Sequence, residues 1–318
     1  RHTRYEFVTG VQTCAFRSLE KLAFAAVDEQ RRSRRWGVFF KSLTFLYLIV
    51  LLMIGMDWIG KDAVAKLDHT ALIDIQGVIG AGADADVNAE SVVSSLQAAF
   101  DNKRTKGLIL RINSPGGSPV QSGIINDEIK RLRALHPEVP VYAVVEDICA
   151  SGGYYIAAAA DAIYVDKASI VGSIGVLMDG FGFTGTMEKL GVERRLLTAG
   201  ENKAILDPFS PPNEQHRQFA QSMLDEIHQQ FIDVVREGRG ERLKETPETF
   251  SGLFWTGEAS IKMGLADGLG SSEYVAREVI KEERIVDFTV REDFASRFAK
   301  RLGATLANQI SLGNLRLQ

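Results

Sequence analysis

The chain has 318 residues, 45% of them hydrophobic and 25% charged, which excludes a disordered chain and leaves room for one large or two modest folded domains. A formal net charge of −4 argues against nucleic-acid binding driven by overall charge. Two cysteines, Cys14 and Cys149, are too few for a disulfide framework or a four-cysteine zinc site.

Residues Arg1–Ser18 show neither helical nor strand periodicity, and Arg1–Arg4 with Val8–Ala15 resemble the translation of a sequencing adapter. They are expected to be an assembly scar outside the fold, which would remove Cys14 and His2 from consideration. Residues 19–35 form a basic segment. Trp36–Met56 follows with a single charge, Lys41. At about 1.5 Å per residue this run spans roughly 31 Å, the thickness of a bilayer hydrocarbon core. Lys41 lies one turn inside it, where its stem can snorkel, and Trp36 and Trp58 bracket the run. Arg31, Arg32, Arg34 and Arg35 precede it, whereas Asp57 and Asp62 follow. The expectation is a single-pass anchor over residues 36–57, N-terminus in the cytoplasm and the bulk of the chain outside. A signal peptide cleaved at Ala63-Val64-Ala65 is the rival, with a buried core helix as the bland alternative.

Beyond the anchor, strand-length apolar runs alternate with helical patterns. Ala71–Ile75 and Gly107–Ile112 read as strands interrupted only by Asp74 and Arg111. Between them, Ser91–Phe100 places Val92, Leu96 and Phe100 on one helical face. Val120–Leu135 reads as a helix, Val141–Val145 as a strand, and Ala162–Val165, Ile170–Val176 and Val192–Leu197 as further strands. Glu214–Val235 is an amphipathic helix with Phe219, Met223, Ile227 and Phe231 every fourth residue, a pattern of core or subunit contact. Ile285–Val290 reads as a late strand and Asp293–Ile310 as a terminal helix. This order implies an α/β fold with a mostly parallel sheet, over about residues 66–290, followed by a helical tail over 291–318.

Two glycine-rich turns follow strands. In Asn113-Ser114-Pro115-Gly116-Gly117-Ser118, adjacent glycines can turn successive N–H groups into one concavity suited to an oxyanion, or simply make a strand-to-helix turn. In Cys149-Ala150-Ser151-Gly152-Gly153, Ser151 enters an Ala-rich helix, either as an exposed hydroxyl or as an ordinary N-cap. No histidine lies in a glycine-rich or post-strand loop, and His216 and His228 are expected on the surface of the long helix. A lysine can replace histidine as base. Lys203, in Ala199-Gly200-Glu201-Asn202-Lys203, stands just past a strand-like run, where a solvated surface charge is the alternative. A lysine acting as base must be brought from about 10.4 to roughly 7–8, which takes an apolar pocket and a polar partner. Ser173, in Gly172-Ser173-Ile174-Gly175, is a candidate partner or a small packed residue.

Ser-Pro-Gly-Gly-Ser, Cys-Ala-Ser-Gly-Gly-Tyr-Tyr, Gly-Ser-Ile-Gly-Val and Ala-Gly-Glu-Asn-Lys, in that order, resemble the short-form signal peptide peptidase A family over roughly residues 68–285. The resemblance implies a crotonase/Clp protease-like fold and peptide hydrolysis through an acyl-enzyme, with no metal or cofactor. It implies Ser151 as nucleophile, Lys203 as general base and Ser173 as the residue orienting the lysine. It also points to the amides of Gly117 and Gly152 as the oxyanion hole, with Gly116 as the adjacent possibility. Remnant signal peptides, and unfolded segments, are the implied substrates. A homo-oligomer with sites shared between subunits is the implied assembly, on the outer face of the bacterial inner membrane. Phe181 and Phe183 are candidates for a substrate-side-chain pocket. Two alternatives share the fold: a crotonase-like acyl-CoA enzyme and an inactive membrane scaffold. Gly180-Phe181-Gly182-Phe183-Thr184-Gly185 matches a dinucleotide-binding pattern and follows a β-like run, but Asp179 intervenes, only a short helix candidate follows and no acidic residue closes a later strand at the expected distance; Cys149 reads as a small buried thiol.

Overall fold

The computed structural model describes residues 29–52, 67–82 and 85–290. Residues 1–28, the end of the expected anchor with Trp58, the Ala63–Ala65 site and the tail from residue 291 lie outside the described residues. The chain divides into two compact units, Arg1–Val64 and Ala65–Gln318. In the first, helix α1 (Glu29–Leu52) has 24 residues and is long and apolar enough to cross a membrane.

The second unit is an eight-stranded sheet in the order β6-β5-β3-β2-β1-β8, with β4 beside β3 and β7 beside β4. Its strands are β1 (His69–Ile79), β2 (Thr105–Gly117), β3 (Val141–Ala150), β4 (Ala162–Val165), β5 (Ile170–Gly172), β6 (Phe254–Thr256), β7 (Gly268–Leu269) and β8 (Ile285–Asp287). Every pairing is parallel except β5 with β6. Helices α2 (Ala89–Asp101), α3 (Pro119–Leu135) and α4 (Gly152–Ala157) follow β1, β2 and β3 in turn. Later come α5 (Thr184–Lys189), α6 (Glu214–Arg239), α7 (Gly257–Lys262) and α8 (Ser272–Tyr274). The mostly parallel α/β architecture expected from the alternation is present.

The long apolar strands are explained by burial on both faces. Ile73, Ile75, Leu108, Leu110, Ile112, Ala143 and Val145 join the main core, while Leu72, Ile109 and Val144 meet Val275 and Ala276 on the other side. The two polar interruptions are register partners across β1 and β2. Arg111 donates to both carboxylate oxygens of Asp74 at 2.9 Å, so each accounts for the other.

Three expectations require correction. Val192–Leu197 forms no strand; it is exposed, with no neighbouring strand to pair it. Ile170–Val176 is a strand only to Gly172, because Gly172 and Ser173 take φ of +119° and +53° and turn the backbone out of the ladder. The late strand stops at Asp287. In α6 the expected face divides: Phe231 and Val235 are core, whereas Phe219 and Met223 are exposed, which leaves the subunit-contact part of that expectation untouched.

Candidate active site

Three neighbouring parallel strands end together, and each hands the chain to one of the motifs. β2 ends in Gly116-Gly117, β3 runs into Ser151, and β5 runs into Ser173. The carboxyl ends of parallel strands are where α/β folds place their sites.

Ser151 precedes α4 at φ +51°, a region that costs a non-glycine residue about 1–3 kcal/mol. Its N–H donates to Gly172 O at 2.9 Å, and its carbonyl accepts from Tyr155 N–H at 3.0 Å. Its hydroxyl makes no capping bond to the helix, unlike Asn88 ahead of α2 or Asn213 ahead of α6. The ordinary N-cap account therefore fails here. Burial fixes the helix behind it: Tyr154 is buried and donates its hydroxyl to Leu265 O at 2.8 Å.

The first glycine turn lies against this serine. Gly116 has φ +105°, and a Cβ there would sit 2.7 Å from both Ser151 Cβ and Gly152 N. Gly117, at φ +146°, would strike Ile79 O if it carried a Cβ. The two amides differ. Gly116 N–H donates to Ser114 Oγ at 3.1 Å, and that hydroxyl donates to Gly77 O at 2.7 Å. Gly116 is buried, whereas Gly117 is exposed, with its nitrogen 3.3 Å from where a Cβ on Gly152 would stand. Gly152 opens α4, so its N–H has no acceptor within the helix.

Ser173 is half-buried, its N–H donating to Leu253 O at 2.7 Å. One residue on, Ile174 O is 3.2 Å from Nε2 of His228, which is half-buried. His228 is thus only partly on the surface: α6 packs it against the loop carrying Ser173. Lys203 sits in a turn closed by its N–H to Gly200 O at 3.1 Å, and its side chain is exposed. Among the described residues its ammonium has no hydrogen bond or ion pair. The structure brings Ser151, Gly117 and Gly152 together and joins Ser151 to the residue before Ser173, but it does not hydrogen-bond Lys203 to either serine.

Phe181 is exposed, and Phe183 stacks on Phe209 with centroids 5.4 Å apart. The glycines at 180 and 182 are surrounded by open space, no strand leads into them, and α5 has only six residues, so the dinucleotide pattern lacks its setting. Burial pushes the Cys149 thiol up, which keeps it protonated and inert. Two polar residues on α3 were not singled out by sequence. Asn126 donates from Nδ2 to Tyr155 O at 2.8 Å, and Ser122 lies buried one turn earlier. Their spacing of four, one face of one helix, was the available signal.

The model of peptidase family S49 matches residues 133–286, a span that includes Ser151, Ser173 and Lys203. A Synechocystis protein named as a protease is 32% identical over 69% of this chain and 75% of its own length. A protein of Enterococcus faecium named as a signal peptide peptidase SppA is 30% identical over 72% of this chain and 66% of its own length. A Brucella melitensis protein named Na(+)/H(+) antiporter NhaA is 48% identical over 57% of this chain, which spans only 24% of that protein's length. Among solved structures, a ClpP1 variant from Listeria monocytogenes aligns with 63% of this chain and 91% of its own at 15% identity and TM-score 0.40.

Proposed function

The chain belongs to peptidase family S49, and from that premise we propose that it is a membrane-anchored serine endopeptidase acting on remnant signal peptides and unfolded segments. Ser151 Oγ attacks the scissile carbonyl as its proton passes to Nζ of Lys203, the general base. The amides of Gly117 and Gly152 receive the oxyanion, and Ser173 orients the lysine. Collapse expels the amine, which takes the proton, and water then repeats the sequence on the acyl-enzyme. Phe181 and Phe183 are proposed to meet the apolar substrate side chain.

One observation carries this reading: a serine held at φ +51°, its hydroxyl free of the capping role, pressed against a paired-glycine turn. The exposure of Lys203 supports a site completed by a neighbouring subunit. Residues 36–57 are proposed as the anchor and 66–290 as the peptidase domain, outside the inner membrane of a bacterium. Residues 1–18 are proposed as scar and 291–318 as a helical tail.

The test uses the full chain in detergent micelles with a fluorogenic apolar peptide. Wild type should cleave it, and Ser151→Ala and Lys203→Ala should each lose at least about a thousandfold. Mixing the two inactive variants should restore activity if sites are shared. Hydrolysis retained in Lys203→Ala would refute the lysine base, and no hydrolysis by assembled wild type would leave an inactive scaffold. An acyl-CoA reading is disfavoured by the family and needs neither side chain.

A further inference from the structure

We propose that Ser122 is a positioning residue for the oxyanion site, holding the Gly152 and Gly117 amides at their working separation; this rests on the reading of Ser151 as nucleophile. Ser122 lies on the second turn of α3 and is fully buried. Inside a helix, a serine hydroxyl commonly donates back to the carbonyl four residues earlier. Ser94 and Ser95 do so in α2, to Glu90 O and Ser91 O at 2.8 Å each. Ser122 does not: its N–H bonds Ser118 O at 3.1 Å in the ordinary way, but its hydroxyl has no partner among the described residues.

The hydroxyl faces α4 instead. A Cβ placed on Gly152 would lie 2.5 Å from Ser122 Oγ, 3.3 Å from Gly117 N and 3.5 Å from Gly116 Cα. Ser122 Oγ therefore takes up the space beside Gly152 that a side chain would fill, at the seam between the two glycine turns. One turn along α3, the bond from Asn126 to Tyr155 O ties the same two helices together, so the hydroxyl cannot retreat. Burying an unpartnered hydroxyl lowers stability, and packing by itself would favour alanine here. Its benefit lies in the reaction. With Oγ in place, neither amide can drift into the gap as charge develops on the carbonyl oxygen.

The experiment compares Ser122→Ala, Ser122→Cys, Ser151→Ala and wild type, each as the full chain in detergent micelles. Melting temperature, kcat and KM are measured on one apolar peptide, together with inhibition by a peptide boronic acid that forms a tetrahedral adduct with a serine nucleophile. For Ser122→Ala, melting should be unchanged or higher and KM should stay within about twofold, while kcat falls about tenfold or more. Boronate inhibition should weaken by a similar factor, and Ser122→Cys should recover part of kcat by refilling the gap. Wild-type kcat in Ser122→Ala, or a kcat loss matched by a fall in melting temperature, overturns the proposal. If Ser151→Ala is inactive while Ser122→Ala is fully active, only this proposal fails. If Ser151→Ala keeps wild-type hydrolysis, the nucleophile reading fails and this one with it.

Discussion

Gly116→Ala puts one methyl group into the tightest point of the site. Residue 116 has φ +105°, and the added Cβ would meet Gly152 N and Ser151 Cβ at 2.7 Å and Ala150 O at 2.9 Å. Two of these atoms are backbone, and the third is a β-carbon, so no side-chain rotation relieves the contact. The backbone strain is about 1–3 kcal/mol and the overpacking about 1–3 kcal/mol. Their sum, about 2–6 kcal/mol, corresponds to a melting temperature lower by roughly 5–20 °C for a domain of this size. Because the displaced groups are the proposed nucleophile and a proposed oxyanion amide, kcat should fall by at least about a hundredfold. Gly123→Ala is the matched control, seven residues on and inside α3, where an added Cβ has nothing within 4 Å. It should gain about 0.5–1 kcal/mol and keep its activity. Scanning calorimetry and initial rates on the same preparations decide the matter. A Gly116→Ala protein with wild-type melting and wild-type rate would refute the close-packed geometry, as would a Gly123→Ala protein that loses as much.

Other outcomes follow from the same structure. Burial pushes the Asp267 carboxyl up, but hydrogen bonds from Arg239 and the Ile163 N–H, with the charges of Arg239 and Arg242, outweigh it and hold the carboxyl below its usual range. A depressed folded pKa contributes stability above the unfolded value of about 3.9, and that stability is lost as pH falls through the folded one. The urea midpoint should therefore drop more steeply below about pH 4 in wild type than in Asp267→Asn; equal slopes would count against the pair. Arg239 is buried and donates to both Asp267 oxygens and to Gly264 O, so Arg239→Met should destabilise by about 3–5 kcal/mol, measured by denaturant titration. Tyr154→Phe leaves Leu265 O without its donor behind α4 and should cost about 1–3 kcal/mol, read in the same titration.

The central strands were legible because burial on both faces writes them as unbroken apolar runs, and Asp74 with Arg111 became intelligible once register set them side by side. The first glycine turn was legible as a turn, since positive φ at Gly116 and Gly117 favours glycine there, whereas Gly172 lay inside a run read as strand. Val192–Leu197 misled because an apolar run has strand composition whether or not a partner strand exists. For Phe219 and Met223, helical spacing shows which residues share a face, not what covers it. The contact of His228 with Ile174 O, 54 positions away, has no local signal, and the spacing of Ser122 and Asn126 marks a polar helix face without showing that Ser122 meets Gly152, 30 positions away. For Lys203 the local turn was readable, but any partner for its amine is not a matter of local sequence.

The bond from Ser151 N–H to Gly172 O works as a catch on a bent spring. Residue 151 directly follows β3, and residue 172 ends β5, a strand of only three residues whose outer neighbour is the equally short β6. While the catch holds, the serine stays in a backbone shape that an L-residue rarely chooses. Once β5 parts from β3 at its last residue, residue 151 is free to relax to an ordinary backbone, and its hydroxyl turns elsewhere, with β1, β2 and α3 undisturbed. The geometry of the proposed nucleophile thus rests on the end of one three-residue strand rather than on the long strands of the core.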